Sequence, residues 1–256
     1  MELATFIKEL AKHPALDRSA AHLQDQAAKL HWKGLVGSSK ALMSASVAQQ
    51  VPGVHLFVLA DKEEAAYFLN DLEGLFPSDK RLFFYPASYR VPYQQEQTDN
   101  ANVVTRAEVL ERLSEHNNAW IVTYPEALFE KIPSKKNLVK HTMRLEIGKQ
   151  YSTDFLNELL LEYQFERVDF VYEPGQFSIR GGILDVFSFA NEHPFRIEFF
   201  GDEIESIRTF DAANQLSIAS HHFFNVIPNI QTGLSIEIQE NMLGFVGQQA
   251  IVWLSD

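Results

Sequence analysis

The residues nearest the start that could do chemistry are Gly34-Leu-Val-Gly37-Ser38-Ser39-Lys40-Ala41. They fall between His31 to Val36, which reads as a short strand, and a helical stretch from Ser38 to Gln50. A strand-to-helix turn is where a phosphate-binding loop belongs, because backbone N–H groups and the helix dipole converge there. A working loop reads G-x-x-x-x-G-K-[ST]. Gly34 and Lys40 fall in register, but Ser39 stands where the second Gly belongs and Ala41 stands where a hydroxyl belongs. A side chain at Ser39 restricts backbone approach to a phosphate, and Ala41 cannot ligate Mg²⁺. The loop therefore reads as degenerate. Its candidate nucleotide-binding residues are Gly34, Gly37 and Lys40, and an ordinary turn favours the same residue types.

A second pattern lies further on. Residues 141–218 hold 14 acidic and 6 basic residues, and five of the six are Arg: Arg144, Arg167, Arg180, Arg196 and Arg208. Arg offers planar, bidentate contacts to carboxylates and is enriched at interface hot spots. Arg196 and Glu198 fall on one face of a candidate strand. Such alternation suits a protein-docking face, and it suits equally well cross-strand pairing on a solvated sheet. The nine His make no metal signature: His13, His22 and His31 are nine apart, and the rings of His221 and His222 would face opposite ways on a strand. No metal site and no catalytic residue is expected, and no G-x-S-x-G elbow is present.

The elements that must carry these residues come in two styles. Up to about residue 140, helical stripes (Leu3, Phe6, Ile7, Leu10; Ala20, Leu23, Ala27, Leu30; Ala65, Phe68, Leu69, Leu72, Leu75; Val103, Ala107, Leu110, Leu113) alternate with short apolar runs at 55–60, 81–85 and 120–124. Asp61 and Glu64 make an acidic analogue of the capping box before the third stripe. This alternation predicts βαβ units and a parallel sheet. From His141 one helix is clear, over Phe155, Leu156, Leu159, Leu160 and Tyr163, capped by Ser152 or Thr153. Thereafter the pattern turns to β. The segments 196–200 and 204–210 flank Gly201-Asp202-Glu203 as a hairpin, and 176–187 reads as a strand bent at Gly181-Gly182. The tail holds Val226-Ile-Pro, Leu234-Ser-Ile-Glu-Ile and a final apolar stretch, IVWL. The expected division is an α/β domain over 1–140, a small α+β domain over 141–218 and a return segment toward the first domain over 219–256, with the chain a fragment of a longer protein.

Composition bounds the rest. With 256 residues, 46% of them apolar, and 20 Phe, 8 Tyr and 3 Trp, the chain can bury a substantial core. The formal charge of −12 gives no general attraction to phosphate backbones, so no direct nucleic-acid binding is expected. The absence of Cys removes disulfides and thiolate chemistry and suits a reducing compartment. No secretory leader or membrane-length apolar run stands in the sequence, so a cytoplasmic location is expected.

Three blocks then carry a resemblance: Phe165-Glu-Arg-Val-Asp169, Glu173 to Phe187 (EPGQFSIRGGILDVF) and Arg196 to Arg208 (RIEFFGDEIESIR). They resemble the transcription-repair coupling factor family and the module which that family shares with the excision-repair protein UvrB. A weaker likeness runs through the GLVGSS turn, Val91-Pro-Tyr93 and WIVTYPEAL. The resemblance implies a helicase-like first domain of P-loop NTPase type that has lost its ATPase machinery, in keeping with Ser39 and Ala41. It implies a second domain of the type that binds UvrA, with contact positions at Arg167, Arg180, Arg196 and Glu198. An Arg expected two residues before Arg180 is Ser178 here. For this chain it implies docking rather than catalysis and no cofactor, although the parent protein is an ATP-dependent DNA translocase. The implied partners are UvrA and the rest of the parent chain, including its motor domains. The alternative is a nucleotide-binding ATPase fragment.

Overall fold

The computed structural model describes residues 6–7, 9–10, 12–25, 28–77, 79–88, 100–228 and 239–255. Leu3, Ala27, Val91-Pro-Tyr93 and Leu234-Ser-Ile-Glu-Ile lie outside the described residues. Contacts divide the chain into two compact units, the first made of Met1–Ala87, Glu115–Glu130 and Asn241–Asp256, the second of Ser88–Ser114 and Lys131–Glu240. The helix Asn100–Glu115 thus groups with the second unit except for its last residue.

The first unit is built on a four-stranded sheet. The apolar runs at 55–60, 81–85 and 120–124 become β1 (Val54–Val58), β2 (Leu82–Phe84) and β3 (Ala119–Thr123). The last strand, β14 (Ile251–Leu254), lies beside β1, giving the order β14-β1-β3-β2 with every neighbouring pair parallel. Parallel strands covered on both faces have no solvent side to keep polar, so their sequences read as unbroken apolar runs. All five residues of β3 are buried, as are Leu56 and Phe57 of β1. The helix Lys62–Leu75 packs against β2 and β3, and the Asp61 side chain caps it by accepting from the Glu64 N–H at 2.8 Å. The helices Pro14–Leu23 and Ser39–Ala48 pack together through Leu16, Ala20 and Val47.

One expectation fails here. Residues 31–36 form no strand. Trp32 instead packs on the cluster of Leu16, Ala20, Val47 and Val51, with its ring 5.5 Å from that of Trp253. Docking by one large side chain, with Lys33 and Gly34 following at once, holds the segment without ladder hydrogen bonds.

His55 sits in β1 fully buried. Its Nδ1 accepts from the Trp253 indole N–H at 3.1 Å, so Nε2 carries the proton and donates to the Val51 carbonyl at 2.8 Å. Burial disfavours the charged ring and lowers its pKa to about 4.

The second unit is an α+β layer pair. Its six-stranded sheet contains β6 (Glu166–Arg167), β7 (Gln176–Arg180), β8 (Ile183–Val186), β9 (Phe195–Phe200), β10 (Glu203–Phe210) and β11 (Ser217–His221), in the order β11-β10-β9-β8-β7-β6. All pairs are antiparallel except β6 with β7. The Gly181-Gly182 bend proves to be the two-residue turn of a β7–β8 hairpin, and Gly201-Asp202 turns β9 into β10. Alternation puts Phe177, Leu184, Val186, Phe195, Ile197 and Ile207 into one core. The helix Thr153–Glu162 closes that core with Leu156 and Leu160, and its cap Ser152 accepts from the Phe155 N–H. A short ribbon of β5 (Met143–Glu146) and β12 (Phe223–Val226) adds Leu145, Phe224 and Val226. Two further strands, β4 (Ile132–Pro133) and β13 (Gln239–Glu240), pair antiparallel. No helix among the described residues is long and apolar enough to cross a membrane.

Candidate partner-docking face

Residues directly opposite in an antiparallel ladder share a face. Ser178 of β7 is opposite Asp185 of β8, Asp185 is opposite Arg196 of β9, Arg196 is opposite Arg208 of β10, and Arg208 is opposite Ser220 of β11. In the next row Arg180 is opposite Ile183, Ile183 is opposite Glu198, and Glu198 is opposite Ser206. Arg180, Arg196 and Glu198, far apart in the chain, therefore converge on the sheet face away from the core.

Arg167 does not join them. It pairs with Phe177, a core residue, and its Nη1 donates to Asn157 Oδ1 of the helix Thr153–Glu162 at 3.2 Å. It lies exposed at the sheet edge, on the helix side.

The centre of the face is a residue that sequence reasoning did not single out. The Asp185 side chain is only 1% exposed and takes both cations. Arg196 reaches it with Nε at 2.7 Å and Nη2 at 2.8 Å, and Arg180 reaches it with Nη2 at 2.6 Å. Each guanidinium is fixed further. Arg196 donates to Gln215 Oε1 at 2.9 Å and lies 4.4 Å from the Phe210 ring centroid. Arg180 donates to the Asp169 carbonyl at 3.0 Å and lies 4.6 Å from the Phe170 centroid. Ser178, standing where an Arg was expected, donates to that same carbonyl at 2.9 Å. The bonds to Asp185 favour charged Arg196 and raise its pKa above the usual guanidinium value.

Glu198 belongs to a neighbouring cluster. The Ser206 hydroxyl donates to it at 2.7 Å and Arg208 grips it through Nη1 and Nη2. The hydroxyl bond first, then Arg208, holds its pKa below the usual Glu value. Side-chain exposure sorts the residues: Arg180 keeps 36% and Glu198 31%, against 16% for Arg196. A partner would meet Arg180 and Glu198 directly, while Arg196 holds the carboxylate that positions Arg180. The clue to Asp185 is a carboxylate inside the apolar run Ile183-Leu-Asp-Val186, which only the strand register turns into a bridge.

The other candidate site has a different character. Gly34 and Gly37 both have positive φ, 80° and 54°, which supports a tight turn. Several of the N–H groups that a phosphate would draw on are engaged within it: Ser39 N–H donates to Val36 O and Lys40 N–H to Gly37 O, both at 3.2 Å. Ser39 Oγ folds back to the Val36 N–H at 2.9 Å. The Lys40 ammonium donates to Ser255 Oγ at 2.8 Å, and Ala41 is fully buried. The hollow beside the turn is lined by Ser38, Ser39, Asn70 and Asp71, among others. Among the described residues no cluster of three or more His, Asp or Glu could hold a metal ion.

Comparison with known proteins agrees with the resemblance of the three blocks. Residues 143–231, within the second unit, match the UvrB interaction domain family. The chain is 32% identical over 188 residues to a transcription-repair-coupling factor of Mycobacterium bovis, covering 71% of this chain and 15% of that relative. It is 28% identical over 195 residues to that of Bacillus subtilis, covering 76% and 16%. It is also 28% identical over 193 residues to the UvrABC system protein B of Streptococcus agalactiae, covering 70% and 29%. The chain thus spans about a sixth of the length of the coupling factors it matches.

Proposed function

We propose that this chain, a relative of transcription-repair-coupling factors with a UvrB interaction domain match in its second unit, is a non-catalytic docking module that recruits UvrA. The observation that carries the reading is the sheet face of the second unit. There Asp185 holds Arg180 and Arg196 in fixed geometry, and the Arg180 guanidinium stays accessible. Rigid guanidinium groups bind with little ordering cost, because the rotamer entropy has been lost on folding. Glu198, beside them, adds a carboxylate of the opposite sign, so the face selects a partner by charge pattern.

We infer also that the first unit is a helicase-like sheet whose phosphate loop serves structure. The bonds within the turn and the Lys40–Ser255 bond support that reading. Lys40 ties the start of its helix to the residue after β14, where a working loop would leave the ammonium for a phosphate.

The test is UvrA binding by Arg180→Ala and Arg167→Ala. Arg180→Ala leaves Asp185 paired with Arg196, so the unit stays folded. Loss of a central Arg contact weakens binding by about 2 kcal/mol, roughly 30-fold. Arg167, outside the convergent face, has the smaller effect. Unchanged UvrA affinity in Arg180→Ala would remove this face as the contact.

A further inference from the structure

Against a net charge of −12, the run Lys131 to Leu145 (KIPSKKNLVKHTMRL) holds Lys131, Lys135, Lys136, Lys140 and Arg144 and no carboxylate. All of it lies in the second unit. It is distinct from the Arg/Glu face, which is built on β7 to β10.

Two of the five cations are engaged. The Lys135 ammonium donates to the Leu113 carbonyl at 2.6 Å. The Arg144 guanidinium lies 3.8 Å from the Phe223 centroid, with Glu146 Oε2 at 3.8 Å. The other three, Lys131, Lys136 and Lys140, are exposed. Among the described residues no hydrogen bond or ion pair reaches their ammonium groups. Lys136 and Lys140 stand four apart on the helix Lys135–His141, so they share one face with their Cβ atoms ~6 Å apart. Like charges at that spacing repel, and among the described residues no carboxylate forms an ion pair with either ammonium. Lys140 is compensated in part by the helix C-terminus, and the N-terminus is capped by Glu240, whose Oε1 accepts from the Lys135 N–H at 2.9 Å, so the repulsion left is that between Lys136 and Lys140. An anionic ligand would relieve the arrangement.

The composition of the strip indicates which anion. Its free cations are all Lys, compact charges on flexible stems, with no free Arg fork of the kind that matches a carboxylate bidentately. Ile132 and Leu138 point inward, and Val139 is the one exposed large apolar side chain between 131 and 145. An acidic peptide would find little to bind beyond charge. A phosphodiester backbone needs only charge, because release of its condensed counterions drives binding.

We propose that Lys131, Lys136 and Lys140 form a docking strip for the phosphate backbone of duplex DNA, on a chain whose net charge is −12. Contact is sequence-independent and weak. It serves to orient the module against DNA while the Arg/Glu face is left for a protein.

The experiment is fluorescence anisotropy of a labelled mixed-sequence 30-base-pair duplex with the 256-residue chain, across a salt series from low ionic strength upward. Three phosphate contacts give a log–log salt slope of about −2.7. In the triple variant Lys131→Gln, Lys136→Gln, Lys140→Gln, affinity drops at least ~10-fold at low salt and the slope falls by about three contacts' worth. A control, Lys29→Gln, Lys62→Gln, Lys80→Gln, makes the same change in net charge at exposed sites elsewhere and keeps the wild-type slope. Undetectable binding at low salt overturns the proposal. So does an equal loss in the control, or displacement of the DNA by a poly-glutamate peptide at equal charge concentration. UvrA affinity measured on the same triple variant stays unchanged, which separates this strip from the proposed UvrA-docking face.

Discussion

At the scale of single residues, the carboxylate of Asp185 decides most. It is buried at 1% exposure between two guanidinium groups, and neither Arg has another carboxylate on it within ion-pair distance among the described residues. Replacing it by Asn keeps the shape and removes the charge, leaving two cations facing each other. Breaking a buried pair typically costs 3–5 kcal/mol, and the partial exposure of Arg180 reduces that to about 2–3 kcal/mol here. Asp185→Asn should lower the stability of the second unit by that amount in urea unfolding followed by far-UV circular dichroism. A loss below ~0.5 kcal/mol would show that Asp185 does not organise the face. UvrA binding should fall as well, because Arg180 loses its fixed pose. The family resemblance pointed to Arg167, Arg180, Arg196 and Glu198 but passed over Asp185. Its place in an apolar strand is uninformative until the hairpins bring Ser178, Asp185 and Arg196 into one row.

At the scale of elements, two glycines in turns act by different physics. Gly201 has φ +63° with open space around its missing Cβ. Gly182 has ordinary φ, but a Cβ there would meet the Phe199 carbonyl oxygen at 2.9 Å. That same Phe199 donates its N–H to the Gly182 carbonyl at 2.8 Å, so the two backbones cannot move apart without breaking a ladder bond. Gly201→Ala should cost about 1 kcal/mol, as left-handed strain. Gly182→Ala should cost more, about 2 kcal/mol, as overpacking against backbone. Equal losses in chemical unfolding would contradict this account. Elements with local signals were legible in the sequence. The Asp61 cap, the Ser152 cap, the 201–203 hairpin and the apolar runs of β1, β2 and β3 all stand where expected. What was not legible is pairing over distance. IVWL reads as one more apolar stretch, and only the fold reveals β1 as its neighbour, joined by a Trp253–His55 bond across 198 residues. The segment 31–36 failed for the opposite reason: it has a strand's apolar content but no ladder to join.

At the scale of the whole molecule, the two units should respond differently to acid. His55 is held neutral inside the first unit, with a pKa of about 4 against 6.5 for the exposed ring. Above pH 6.5 neither state binds the proton. Between 6.5 and 4 the unfolded chain takes it up and the folded one does not, so stability falls as pH falls. From pH 7.5 to 5 the loss from this group is about 2 kcal/mol. All three Trp, at 32, 120 and 253, lie in the first unit, so Trp fluorescence reports its unfolding selectively. His55→Asn should flatten the pH dependence of that transition over this range. If the variant keeps the wild-type slope, His55 is not its source.

The ladder between β1 and β14 has a consequence for synthesis. A ribosome adds residues in order, and every residue of the second unit has been joined to the chain before Ile251 is. The nascent first unit must wait, its sheet one strand short and β1 bare along one edge, while every residue of the second unit has already been synthesised. Birth order thus runs opposite to numbering: the unit that starts first is completed last.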